Sequence, residues 1–134
     1  MNDAKRFWPP SREFVRYWLP VIVYAALMLT ISSIPIRIRR VPFRNYDKVF
    51  HFFEYGIYAW LWYRAFKGTT SISSRGRIAI ATVLICTIFG FIDELYQAHT
   101  PYRTSDIYDL AADASGSFAA VILADLIQDV FPRS

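Results

Sequence analysis

The sequence predicts an all-α fold, an integral-membrane bundle of four helices, from three observations. Hydrophobic residues make up 54% of the 134 residues and charged residues only 19%. That balance is too apolar for a small soluble domain, whose interior could not hide so many large side chains. Uncharged runs, among them Trp18 to Ile36 and Ile78 to Ile92, approach the length of a bilayer crossing. Short basic, proline- or glycine-bearing loops separate them, and no repeat divides the chain.

Residues 1–17 carry Lys5, Arg6, Arg12 and Arg16 among aromatics and prolines. They are expected to form a basic amphipathic segment on the membrane surface, unlike a cleavable signal. The domain proper is expected over residues 18–131. Its first span covers 18–36, with Pro20 in the first turn, where its missing N–H is tolerated, and Pro35 as the stop. A basic loop with Arg37, Arg39, Arg40 and Arg44 follows, and Asn45 is expected to cap the second span, 47–66. The third span is placed at 77–97 after a Thr/Ser-rich loop, and the fourth at 106–131, capped by Thr104, Ser105 or Asp106. Small residues from Ala111 to Ala120 suit the fourth helix to close approach in lipid. The lone Cys86 lies inside an apolar run and reads as packing.

Nine lysines and arginines fall at the termini and the middle loop, counting Arg64, and six fall on the other side. The positive-inside rule then puts both termini in the cytoplasm of a multi-pass protein of the inner (cytoplasmic) membrane. The basic residues sit in loops beside apolar segments, so the sequence pI near 9.4 is assigned to topology, with no nucleic-acid partner.

Charged residues inside membrane-length helices are costly and usually functional. Spacings of four and three put Asp47, His51 and Glu54 on one face of the second helix. Asp93 and Glu94 close the third helix, where the macrodipole disfavours them, so capping does not account for them. Asp106, Asp109 and Asp113 open the fourth. Helical rise brings His51, Glu54, Asp93, Glu94, Asp109 and Asp113 to one depth, and these six are the candidate catalytic residues. Asp47, Lys48, Tyr55, Gln97, Arg103 and Asp106 are the candidate ligand-binding residues. Arg103 is expected to reach a carboxylate, because an unpaired acidic cluster repels itself in low dielectric. A divalent metal would suit the set, with His51, Asp93 and Asp109 as candidate ligands. Asp125, at the other end, is expected to be solvated.

Three series, Asp47-Lys48-x-x-His51-x-x-x-Tyr55, Asp93-Glu94-x-x-Gln97 and Pro101-x-Arg103-x-x-Asp106-x-x-Asp109, followed by Gly116, together resemble the VanZ-like family. Asp113 stands where that pattern leads one to expect asparagine. The resemblance implies a bacterial cell-envelope membrane protein of the type giving low-level teicoplanin resistance. Three roles are open: an enzyme acting on a membrane lipid or lipid-linked precursor, a non-catalytic binder or accessory subunit, and a small transporter. The absence of any visible inverted repeat counts against the last. No Ser or Cys stands beside a His as a nucleophile, and no glycine-rich phosphate loop is present, so acyl-enzyme chemistry and nucleotide hydrolysis are not expected.

Overall fold

The computed structural model describes residues 11–35 and 44–130, with the side chains of 128–130 excepted. The described residues form helices α1 (Leu19–Ser33), α2 (Tyr46–Thr69), α3 (Arg75–Gln97) and α4 (Ile107–Val130), and contain no strand. A π-helical stretch, Phe14–Trp18, leads directly into α1, so the first helix begins ahead of Trp18. Ser11 Oγ accepts the Phe14 N–H at its start. At the other end Ile34 turns extended, as a residue before proline prefers. Residues 1–10 and the basic loop from 36 to 43 lie outside the described residues, as does Phe131.

Two capping expectations resolve differently. Asn45 occupies the position before α2 but has a left-handed backbone (φ 61°), and its side chain makes no capping bond. Asp106 does cap α4, accepting the Tyr108 N–H at 2.9 Å. The middle loop is shorter than expected, because Ser74 accepts the Arg77 N–H and starts α3 at Arg75.

Three helical stretches, Phe14–Ser33, Arg75–Gln97 and Ile107–Ile127, are long and apolar enough to cross a membrane. At 24 residues α2 is long enough as well, roughly 36 Å. It is set apart by Asp47, Lys48, Glu54, Arg64 and Lys67. Its geometry explains how it can stand beside the others. His51, Tyr55, Tyr58 and Ala59 face the interior, while Phe50, Phe53, Ile57 and Trp60 are turned outward. The same inversion runs through α3: Thr82, Cys86, Gly90, Asp93 and Gln97 point inward, whereas Ile80, Leu84, Ile88 and Phe91 are exposed. Polar residues inside and large aliphatics outside is the arrangement that hydrocarbon surroundings select.

Helix α2 packs most extensively on α4, α3 lies against both, and α1 rests on α2 and α3. The α2–α4 crossing is main chain on main chain. A Cβ on Gly116 would overlap the Phe52 carbonyl, and one on Gly56 would stand 3.5 Å from the Gly116 oxygen. On one side of this crossing, rings of Trp18, Tyr58, Trp62, Phe66 and Phe89 pack edge-on and tilted. On the other lie the carboxylates. Asp125 is not a bare solvated group, because it accepts a hydrogen bond from Tyr63.

The two glycines should differ in tolerance. Gly116→Ala drives a methyl into a carbonyl that cannot swing away and should cost about 1–3 kcal/mol. Gly56→Ala adds only an ordinary contact and should leave stability nearly unchanged. Thermal unfolding in one detergent checks the pair, and equal midpoints for the two variants would contradict the close crossing.

Candidate functional site

The start of α2, the end of α3 and the start of α4 come together at one end of the bundle, and with them most of the carboxylates. Lys48 reaches from the first turn of α2 into a ring of aspartates. Its Nζ lies 3.0 Å from Asp47 Oδ2, 2.8 Å from Asp106 Oδ2 and 2.9 Å from Asp109 Oδ1. Three donors on one ammonium meet three carboxylate oxygens, each contact a charge-assisted hydrogen bond. Hydrogen bonding to that ammonium, together with the Tyr108 N–H, holds the Asp106 carboxyl below the usual carboxylate range.

One turn deeper, His51 Nδ1 stands 2.8 Å from Asp113 Oδ1, and its Nε2 is 3.9 Å from Asp109 Oδ2. A carboxylate at hydrogen-bond distance puts the proton on Nδ1 and turns Nε2 toward Asp109 and the interior. The Tyr55 ring stacks on the imidazole, 11° from parallel with centroids 6.4 Å apart. Asp113 is fully enclosed, and its Oδ2 rests on Gly90, where any Cβ would come within 2.7 Å of it. Ser117 Oγ donates to the Asp113 carbonyl one turn on.

The α3 acids divide. Glu94 Oε2 accepts the Asp106 N–H at 2.8 Å, tying the end of α3 to the start of α4. Asp93 Oδ2 accepts from Gln97 Nε2 at 3.2 Å, and the same amide reaches Ser32 Oγ of α1 at 3.4 Å. The buried Asp93 Oδ1, Glu94 Oε1, Asp113 Oδ2 and Tyr55 hydroxyl have no hydrogen-bond partner. Glu54 is half-buried, and its carbonyl rather than its carboxylate meets Tyr24, whose hydroxyl donates at 3.2 Å.

Arg103 departs from expectation. Its Nη2 donates to the Ile31 carbonyl at 2.9 Å, and no carboxylate lies within salt-bridge reach of it among the described residues. The reason is local: the Ile31 carbonyl lies in the last turn of α1, at the negative end of the helix dipole, and accepts the Arg103 guanidinium in addition to the Ile34 N–H. Lys48 takes the pairing role instead. The metal-ligand expectation shifts too. Ligand atoms of His51, Glu94 and Asp109 lie within 4.8 Å of one another, so Glu94, rather than Asp93, joins the histidine. Asp47, Asp106 and Asp109 form a second such group, but Lys48 Nζ already occupies it. Ser32 and Ser117 were not singled out by the sequence. Their only signal is position, four residues beyond Met28 on the inward face of α1 and four beyond Asp113 on α4.

Known proteins bear on this arrangement. The family model described as VanZ/LLP1 matches residues 7–128, nearly the whole chain. An uncharacterised protein of Schizosaccharomyces pombe is 26% identical over 113 residues, covering 84% of this chain. The chain spans 62% of that relative's length. No solved structure matches.

The Lys48–Asp109 pair should show strong coupling. Lys48→Met strands three carboxylates and should lower the thermal midpoint clearly. Asp109→Asn added to it should lower the midpoint less than the separate effects predict, with a coupling of about 0.5–3 kcal/mol. Strict additivity in that double-mutant cycle would mean that the ammonium does not hold α2 to α4.

Proposed function

The chain belongs to the VanZ/LLP1 family, and from that premise we propose a membrane protein that acts on a lipid or lipid-linked cell-envelope molecule at its buried polar end. The observation that carries this reading is the His51–Asp113 pair enclosed within helices whose outer faces are apolar. Molecules that reach a polar pocket through an apolar shell are those with an apolar part of their own. An imidazole held through Nδ1 by a carboxylate presents Nε2 as a base, the role that proton abstraction requires. His51 would take the proton from a hydroxyl, of water or of the headgroup, and Asp113 would hold the imidazolium that forms. No covalent enzyme intermediate is needed.

The remaining residues suggest the headgroup. Lys48 is surrounded by carboxylates and is poorly suited to receive a phosphate. The unpartnered acceptors, Asp93 Oδ1 and Glu94 Oε1, suit donors such as amines or sugar hydroxyls. Arg103, whose Nε has no partner, is the cation left for an anionic group. A relative in S. pombe favours a headgroup common to bacterial and fungal membranes. In a bacterium the same action on a lipid-linked precursor would give low-level glycopeptide resistance. A second reading, binding without chemistry, draws on Asp109: its carboxylate faces Nε2 and would make His51 a standing ion pair.

The Lys/Arg count supports a cytoplasmic-membrane protein with both termini in the cytoplasm and the polar end outside. In a Cys86→Ala background, a cysteine at Ser73 should be shielded from membrane-impermeant thiol reagents in intact cells, and one at Thr100 labelled. The reverse would place the polar end in the cytoplasm.

Mass spectrometry of lipids retained by the protein in nanodiscs tests the action itself. Wild type should retain a defined lipid class and, on incubation with it, release an altered headgroup. His51→Gln should retain the lipid and lose the conversion. Conversion undiminished in His51→Gln would remove the histidine from the chemistry, and retention without conversion by wild type would favour the binding reading.

A further inference from the structure

We propose that His51, Glu94 and Asp109 bind one divalent cation, with Nε2 of the histidine and one oxygen from each carboxylate as ligands. In the cation-loaded protein Nε2 of His51 is a ligand and not a base. This inference therefore replaces the proton-abstracting role given to the histidine above, and a metal titration reads it separately from any lipid conversion. The three side chains come from α2, α3 and α4, and their ligand atoms lie within 4.8 Å of one another. All three are at least nine-tenths buried. Metal–ligand bonds of roughly 2.0–2.2 Å put neighbouring ligands about 3.4–3.6 Å apart, so the ring closes with each ligand atom moving inward by less than about 1 Å.

Each residue has one atom engaged and one to give. His51 Nδ1 is held by Asp113 at 2.8 Å, so Nε2 is the ring nitrogen left to ligate, and it lies 3.9 Å from Asp109 Oδ2. Asp109 Oδ1 is held by Lys48 at 2.9 Å, leaving Oδ2. Glu94 Oε2 is held by the Asp106 N–H at 2.8 Å, leaving Oε1, a buried oxygen with no hydrogen-bond partner. A carboxylate behind a ligating histidine, and donors behind ligating carboxylates, are the outer supports that metal sites use to fix tautomer and direction.

Charge points the same way. Asp93, Glu94, Asp109 and Asp113 are all buried at this end, and Arg103 is turned to a carbonyl. Lys48 is shared with the two outer aspartates, Asp47 and Asp106. Carboxylates so crowded in low dielectric are relieved either by taking up protons or by further positive charge, and a bound cation supplies the second. One imidazole with two carboxylates suits a borderline first-row ion such as zinc or manganese, and leaves coordination positions open.

The test uses the full-length protein in nanodiscs, stripped with chelator and titrated with cobalt(II) as the probe. Saturable binding of one cobalt per chain is expected, with visible absorption of a low-coordinate site. Glu94→Gln, whose amide oxygen can still accept the Asp106 N–H, should weaken binding at least about tenfold. Asp125→Asn, at the other end of the bundle, should leave it unchanged. Manganese bound to wild type should show nitrogen modulation in pulsed electron paramagnetic resonance, a readout that does not depend on any variant folding. No saturable binding, binding indifferent to Glu94→Gln, loss with Asp125→Asn, or no nitrogen coupling would each overturn the assignment.

Discussion

A lysine surrounded by three aspartates holds the polar end of this molecule together. Lys48 extends from α2, two of its partners belong to the start of α4, and the third is its own neighbour Asp47. Without that ammonium, Asp106 and Asp109 would repel each other across a short gap. With it, the first turns of α2 and α4 are fixed in register, and His51 is carried to Asp113. The link from Glu94 to the Asp106 N–H then adds α3 to the same knot. Lys48, His51, Glu94, Asp106 and Asp109 thus have their positions set by a neighbouring charge or helix end.

The bundle is inverted relative to a soluble protein. In water, burying aromatic and aliphatic surface drives association, and polar residues face out. Here Phe53, Ile57, Ile80, Leu84 and Leu123 are exposed, and Asp113, Ser117 and Thr82 are enclosed. Association among such helices rests on close contact and internal hydrogen bonds. The Gly56–Gly116 crossing supplies the contact, and the His51–Asp113 and Gln97–Asp93 bonds supply the polar part.

Much of this was legible in the residues. Apolar runs and the stop at Pro35 marked helices, although α2 continues through Gly68 to Thr69, and the spacing of Asp47, His51 and Glu54 marked a polar face. Contact partners were less legible. Helical rise places Asp93 and Glu94 at nearly one depth, but it does not say which turns toward His51. A rotation of about 100° between neighbours decides that, and it selects Glu94. Arg103 shows the same limit: its charge suggests a carboxylate partner, whereas the Ile31 carbonyl at the negative end of the α1 dipole takes the guanidinium. Asn45 failed as a cap because its backbone is left-handed, a property the residue type permits but does not declare.

The seat of Asp113 against Gly90 limits what can change there. Any side chain on Gly90 would stand 2.7 Å from Asp113 Oδ2, so the fully enclosed carboxylate depends on the bare backbone opposite it. Aspartate and asparagine have the same outline, so a lineage can exchange them with no repacking of α3 on α4. The exchange alters the charge behind His51 by one while leaving its orientation intact. Position 113 is therefore a place where relatives of this chain can drift in electrostatic character while keeping one architecture, provided that the glycine opposite is kept.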